Sequence, residues 1–253
     1  MVRQHIFSSP SGHDVSTLRL LDLTLPFPVE NLALDEALLE ELEERGGDPV
    51  LRFWESDRHF VVLGRASRVA DDVDLVTCQE DGLSILRRAS GGGTVLQGPG
   101  CLSYAFVLPI GWHPDLVNIR TTNRFILERI ATALRRWEPA TTLRGISDLA
   151  IDDMKISGNA QRRTGKVVLF HGTILHCMGT ALISRYLKHP TRQPDYRSNR
   201  PHGTFVRTID APPQAIKHVI ADTWNAEPTH AEWPRARMPR MIAAILARSR
   251  DES

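Results

Sequence analysis

Two segments of the chain place anion-binding residue types beside backbone that a ligand can approach closely. The first is Arg87-Arg88-Ala89-Ser90-Gly91-Gly92-Gly93-Thr94-Val95. Three adjacent glycines expose backbone N–H groups and permit positive φ. The two arginines ahead of them can neutralise phosphate or carboxylate oxygens. No Gly-Lys-Ser/Thr closes the segment and no GxGxxG opens a helix, which excludes a Walker A loop and a dinucleotide fingerprint. Residue types alone leave two readings open, a ligand cradle or a glycine-rich turn with solvated arginines.

The second segment, Met154-Lys155-Ile156-Ser157-Gly158-Asn159-Ala160-Gln161, follows the acidic pair Asp152-Asp153. In a strand, Lys155, Ser157 and Asn159 would share one face. A lysine aimed inward from a strand end is a point charge suited to phosphate and acyl-carbonyl oxygens. The other reading is a hairpin lysine in solvent that balances the two aspartates. His171-Gly172-Thr173 adds an imidazole next to a flexible backbone, although a lone histidine more often belongs to a core or a surface. Arg162-Arg163 likewise reads as a solvated hairpin tip.

The elements that must position these residues follow from periodicity. Asn31–Glu44 has helical spacing, with Leu34, Ala37, Leu38 and Leu42 on one face, Asn31 as N-cap and Gly46-Gly47 at the end. Apolar runs at Val50–Trp54, Phe60–Leu63, Leu83–Leu86 and Leu102–Leu108 read as strands, the last two separated by the glycine-rich stretch. Asn123–Trp137 is a second helix. Asp148–Ile151, Lys155–Gln161 and Lys166–Leu175 are strands joined by hairpin turns at Asp152-Asp153 and Thr164-Gly165. Helices are again expected from Pro213 and over Arg237–Ser249, with Pro239 in the first turn of the latter. Pro190–Pro201 reads as a surface loop or hinge. Hairpin-linked strands interrupted by isolated helices predict an α+β fold with a mixed, largely antiparallel sheet flanked by helices.

The 253 residues, 42% hydrophobic and 24% charged, suit one globular domain. A net charge of +1 gives no electrostatic reason for a nucleic acid partner. No apolar run is long enough to span a bilayer, and Met1–Phe7 gives way to polar residues without a secretory pattern. Cys78, Cys101 and Cys177 form neither an even set nor a zinc spacing, so no metal site is expected and the chain reads as a reduced, cytoplasmic protein.

Taken in order, several segments resemble the lipoate–protein ligase, octanoyltransferase and biotin ligase superfamily, most closely its lipoate-ligase branch. They are Asn31–Leu38, Leu51–Trp54 with Val61–Arg65, Arg87-Arg88-x-Ser90-Gly91-Gly92-Gly93-x-Val95, Gly145-x-Ser147-Asp148-Leu149, Lys155-x-Ser157-Gly158-x-Ala160, His171–Leu175 and Tyr196–Val206. The resemblance runs from about residue 20 to about residue 225. It implies a biotin/lipoate-ligase-like catalytic domain that activates lipoate or octanoate with ATP and Mg²⁺ as an acyl-adenylate. The acyl group would then pass to a lysine of a lipoyl-carrier domain, from a dehydrogenase acyltransferase subunit or a glycine-cleavage H-type protein. It assigns Lys155 the central catalytic role. Substrate binding would fall to Arg88, Ser90, Gly91, Gly92, Gly93, Val95, Asp148, Ser157, Gly158, Asn159, Ala160 and His171, and the acyl tail to Val95, Leu102 and Tyr104.

The chain departs from the family pattern after the glycine loop. Leu96-Gln97-Gly98-Pro99-Gly100-Cys101 replaces a His-Asp pair followed by Gly-Asn, which leaves Cys101 where an asparagine near the nucleotide is expected. A cysteine there keeps open an ATP-independent transferase working through a thioester, although the similar transferases carry their cysteine before the lysine motif and Leu143–Met154 has none. A non-catalytic paralogue that binds carrier proteins is a third possibility. The residues after Phe205 are too few for the accessory domain of full-length ligases. One catalytic domain over 1–253 is therefore expected, with a separate accessory protein or none.

Overall fold

The computed structural model describes residues 17–229 and 232–250; the amino-terminal residues read for a targeting signal lie outside them. In chain order the elements are β1 (Arg19–Asp22), α1 (Pro28–Arg45), β2 (Val50–Trp54), β3 (Phe60–Leu63), α2 (Val69–Asp72), α3 (Leu75–Glu80), β4 (Ser84–Arg87), β5 (Val95–Gln97) and β6 (Cys101–Pro109). Then come α4 (Ile119–Leu134), β7 (Thr142–Arg144), β8 (Asp148–Ile151), β9 (Met154–Arg163), β10 (Val167–Leu175), α5 (Thr180–Tyr186), α6 (His202–Phe205), α7 (Pro213–Thr223), β11 (Glu227–Pro228) and α8 (Met238–Arg250).

The large sheet has the order β11-β1-β2-β6-β10-β9-β8-β7. Strand β1 runs parallel to β11 and β2, and every other pair is antiparallel. This is the mixed, largely antiparallel α+β sheet that the patterning predicts. Period-2 alternation sends Leu51, Phe53, Tyr104, Phe106, Val168 and Phe170 to one face, where α4 and α7 cover them. Val50, Trp54, Ala105, Val107 and Leu169 face the other way, onto α1 and α8.

Strands β3, β4 and β5 form a separate three-stranded sheet in the order β4-β3-β5, which differs from the single sheet expected. The sequence of β3 gives the reason. All four of its residues are apolar, so both faces must be buried. Phe60 and Val62 join the α1 cluster, while Val61 and Leu63 join a cluster with Tyr186, Leu187 and Phe205. The glycine loop joins β4 to β5 within this small sheet, and Gly98–Gly100 leads on from β5 to β6 of the large one.

Two helix starts differ from expectation. Helix α1 begins at Pro28, not after Asn31, because Pro28 suits a first turn and the Glu30 carboxylate accepts the Phe27 N–H at 3.1 Å. Asn31 is instead buried in that turn, accepting from the Leu25 N–H and from Arg52 Nη2. Helix α4 begins at Ile119, where Asn118 caps the Thr121 N–H at 3.0 Å; Asn123 sits inside it and donates to the Ile146 carbonyl.

Candidate functional site

A cavity of about 1070 Å³ lies between the glycine loop and the face of β9 and β10. The loop itself is shaped by Arg88. Its side chain is buried and donates from Nε to Ser90 Oγ (3.1 Å), from Nη2 to the carbonyls of Gly91 (2.7 Å) and Gly93 (2.8 Å), and from Nη1 to the Val62 carbonyl (3.3 Å). The guanidinium that sequence reasoning offered to the ligand is therefore spent on folding the loop. Burial lowers its pKa to about 10. Gly92, at φ 88°, brings its carbonyl against Gly64 so closely that a Cβ on Gly64 would lie 2.9 Å from the Gly92 carbonyl carbon.

Ser90 Oγ and His171 Nε2 are 2.6 Å apart, tying the loop to β10. Since Arg88 Nε donates to that hydroxyl, the serine proton is free for an unprotonated Nε2. Burial, with Arg88 nearby, pushes the imidazole down to about 3, so it is neutral. His171 pairs with Ala160 across the sheet, and both line the cavity.

Lys155 reaches this cavity through an irregularity that sequence parity misses. Between β8 and β9, Leu149 pairs with Ser157 while Ala150 pairs with Lys155, so Ile156 is an extra residue. This β-bulge breaks the alternation. Lys155 does not share a face with Ser157 and Asn159; its Nζ lies over Gly158, where a Cβ would sit 2.8 Å from it. The ammonium pairs with Asp148 Oδ1 at 2.8 Å, and Tyr196 donates to Asp148 Oδ2 at 2.8 Å. Asp152 and Asp153 form the hairpin turn read from the sequence, at φ of 48° and 62° between Ile151 and Met154, and Asp153 pairs with Arg144 while Lys155 pairs with Asp148.

Asn159 is held by bonds separate from those of Lys155. It accepts a short hydrogen bond from the Tyr104 hydroxyl and donates to the Ser147 carbonyl (2.8 Å) and Ser157 Oγ (3.1 Å). Gly172 faces it across the strand pair, leaving room for the carboxamide.

Of the residues singled out from the sequence, Arg88, Gly92, Gly93, Val95, Asp148, Lys155, Gly158, Asn159, Ala160 and His171 line this one cavity. Ser90, Gly91 and Ser157 stand behind its wall. Cys101 does not line it: the residue is buried beside Thr173, and burial pushes its thiol up to about 12. Cys177 is exposed and also off the wall. Leu102 belongs to the opposite core, because it alternates away from Cys101 and Ser103.

Sequence reasoning missed the apolar end of the cavity, formed by Leu32, Trp54 and Val62 with Val95. It also missed the cations Arg68, Arg144 and Lys188 on the lining. The Pro190–Pro201 segment, read as a loop, supplies a further wall through Pro194 and Tyr196. Tyr196 carried a signal in the Tyr-Arg-x-x-Arg pattern, whereas Leu32 and Trp54 looked like ordinary core. Among the described residues no group of three or more His, Cys, Asp or Glu could hold a metal, and no helix is long and apolar enough to cross a membrane.

A family model described as the lipoyl protein ligase A/B catalytic domain matches residues 28–216. Lipoate–protein ligase 1 of Plasmodium falciparum is 27% identical over 144 residues, covering 57% of this chain and 33% of that protein. Octanoyltransferase LipM of Moorella thermoacetica is 30% identical over 195 residues, covering 69% of this chain and 71% of that one. The chain thus spans between a third and about seven-tenths of the length of these curated relatives. A solved lipoate–protein ligase A bound with ATP has a TM-score of 0.75 at 22% identity, over 90% of this chain and 94% of that one. The bipartite lipoate protein ligase of Thermoplasma acidophilum, studied with its E2 lipoyl domain, also scores 0.75, at 23% identity over 90% and 92% of the two chains. At these identities the likeness is one of fold.

Proposed function

The chain belongs to the lipoyl protein ligase A/B catalytic-domain family, and from that premise we propose that it is an ATP-dependent lipoate–protein ligase. It would activate lipoate or octanoate as an acyl-adenylate and transfer the acyl group to a lysine of a lipoyl-carrier domain. The observation that carries this reading is the placement of Lys155. Its ammonium stands on the cavity wall, held by Asp148, and the cavity it faces is closed on another side by Gly92 and Gly93.

The arrangement suits adenylation. The acyl carboxylate must approach an α-phosphate, and two anions come together only against fixed cations and backbone donors. Lys155 supplies the cation at the reacting atoms, with Arg144 and Lys188 further along the lining. Carboxylate oxygen attacks phosphorus and pyrophosphate leaves; the carrier lysine's free amine then attacks the carbonyl, and AMP leaves with the electron pair of the broken C–O bond. The apolar end at Leu32, Trp54, Val62 and Val95 suits an acyl tail. ATP would lie along the polar part of the cavity, and Mg²⁺, if used, would travel with the phosphates and their waters.

A thioester route has little support at Cys101, whose thiol is buried and pushed up to about 12. The three unpaired cysteines fit the cytoplasmic placement expected from the sequence. The carrier class, H-type protein or dehydrogenase subunit, and any accessory protein belong to the same proposal.

Intact-mass analysis of an unmodified lipoyl domain tests the reading, with lipoate, ATP and Mg²⁺ in one arm and octanoyl-carrier protein without ATP in the other. A lipoyl-sized gain confined to the first arm is expected. Gain confined to the second would make the chain a transferase, and silence in both would favour a binding role. Lys155→Ala should lower transfer at least about a hundredfold, as loss of an oxyanion-stabilising group does, while leaving the thermal midpoint near wild type.

A further inference from the structure

Helix α8 has no part in the cavity, yet it ends against the glycine loop. Its Met238, Met241 and Ile245 pack into the α1 cluster. Arg237, just ahead of the helix, and the helix's own Arg240 and Arg248 meet the acidic face of α1. Arg237 bonds Glu41 and Glu44 at 2.6 Å each, Arg240 pairs with Glu40, and Arg248 Nη2 donates to Glu36 Oε1 at 2.6 Å.

The last turn of α8 does something different. β4 is the edge strand of the small sheet, and α8 approaches it at Arg87. Ser249 Oγ accepts the Arg87 N–H at 2.9 Å while donating to the Ile245 carbonyl at 2.7 Å. The Arg248 carbonyl accepts Arg87 Nε at 3.1 Å, and Arg87 Nη1 spans on to the carbonyls of Gly64 (2.9 Å) and Ser67 (2.7 Å). Two residues further on, the Ala89 N–H donates to Glu36 Oε1 (3.3 Å), the same oxygen that holds Arg248. Glu36 is 5% exposed, and its other oxygen has Arg162 at 3.5 Å. Residues 87 and 89 are thus held from behind by α8 and α1. Residues 88 and 90 turn forward, to the loop carbonyls and to His171.

We propose that α8 is a strut that sets the glycine loop for substrate, with Arg248 and Ser249 as positioning residues that act through Glu36 and Arg87. The proposal rests on the reading of the loop as part of the substrate site. Without Arg248, the buried Glu36 carboxylate keeps one backbone N–H and a long contact to Arg162, and it turns toward water or toward Arg162. Ala89 then loses its acceptor, and the loop samples conformations in which Gly92 and Gly93 no longer line the cavity as they do here. Substrate affinity falls by the fraction of time spent outside the competent state.

The test uses the full chain and the variants Arg248→Ala, Arg248→Lys and Ser249→Ala. Amide hydrogen exchange over residues 86–95, measured without substrate, reads the loop directly. Steady-state transfer reads KM for lipoate and for ATP separately from kcat. The strut predicts faster exchange at 88–93 in Arg248→Ala. It also predicts KM for both substrates up about tenfold, the cost of one truncated charge-assisted hydrogen bond, with kcat within about twofold. Arg248→Lys, which keeps the cation, should recover most of the loss. Unchanged exchange with unchanged KM in a folded Arg248→Ala would overturn the proposal, as would an equal loss in Arg248→Ala and Arg248→Lys. If Arg248→Ala fails to fold, Ser249→Ala, which removes one acceptor, must show the same direction in both readouts, and wild-type behaviour there would overturn the strut. Should the wild type transfer nothing in any arm, the proposed function falls while the exchange measurement still decides the strut.

Discussion

Gly172→Ala separates two effects of opposite sign. In a strand, replacing glycine by alanine ordinarily stabilises by about 0.4–1 kcal/mol, because the unfolded chain loses freedom. Here a Cβ would lie 2.6 Å from Asn159 Cγ and 2.9 Å from the Tyr104 hydroxyl, and it would overlap the Asn159 amide oxygen. The carboxamide has to leave. It then gives up its bonds to the Ser147 carbonyl and Ser157 Oγ, and the buried Tyr104 hydroxyl loses its acceptor. Two neutral hydrogen bonds at about 1 kcal/mol each and one buried unsatisfied hydroxyl at about 1–3 kcal/mol sum to about 3–5 kcal/mol. That is a large part of an ordinary domain's stability, about 5–15 kcal/mol. Urea denaturation of wild type, Gly172→Ala, Asn159→Ala and the double variant reads it. Asn159→Ala removes the obstructing group, so adding Gly172→Ala to it should cost almost nothing, a coupling of about 3 kcal/mol. A Gly172→Ala protein as stable as wild type, or strictly additive variants, would refute the reasoning. The loss should also reach activity, since Ser147 precedes Asp148, which holds Lys155.

Cys101→Ser should keep transfer within about threefold of wild type, whereas a nucleophile replaced by serine loses orders of magnitude. Consistent with this, iodoacetamide at pH 7 should label the exposed Cys177 well before the buried Cys78 and Cys101, read by peptide mass spectrometry. Burial lowers His171 from 6.5 to about 3, so between those values the unfolded chain binds the extra proton. The contribution of this neutral histidine is complete above pH 6.5 and declines as the pH falls toward 3, at up to about 1.4 kcal/mol per pH unit. His171→Gln should flatten that slope in urea titrations at pH 4–7, and an identical slope would rule out the assignment. Arg88→Lys cannot reproduce a fork that reaches Ser90, Gly91, Gly93 and Val62 at once. It should lower both the thermal midpoint and transfer, the latter at least about tenfold as the loop carbonyls lose the donor that shapes them.

Val50–Trp54, Phe60–Leu63 and Asp148–Ile151 were legible in the sequence because apolar content and turn residues bound them within one or two positions. β1, β5, β7 and β11 were not, since strands of two to four residues with half-polar faces gain their identity from a neighbour. The helix start at Pro28 was hidden because Asn31 is a good cap residue, and only the approach of Arg52 from β2 explains its burial. Arg88 was legible as important but not in its role. A guanidinium beside glycines can serve a ligand or the glycines' own carbonyls, and only coordinates decide.

The bulge at Ile156 is the step that connects motif to chemistry. In a regular strand Lys155 would point with Ser157 and Asn159 toward Tyr104, into the core that α4 covers, where an ammonium would have no carboxylate. With one extra residue, Ile156 enters that core instead, and Lys155 swings over Gly158 to Asp148 and the cavity. The Lys-x-Ser-Gly spacing therefore encodes shape as much as reactivity. Isoleucine fills the core at the bulge, serine receives Asn159, and glycine clears the path for the ammonium. It follows that Gly158→Ala, with its methyl 2.8 Å from Nζ, should displace the lysine without removing it. Transfer should then fall about as far as in Lys155→Ala, while the global fold, measured by circular dichroism, stays intact. Wild-type turnover in Gly158→Ala would mean that the ammonium has another productive seat and that the bulge is not what delivers it.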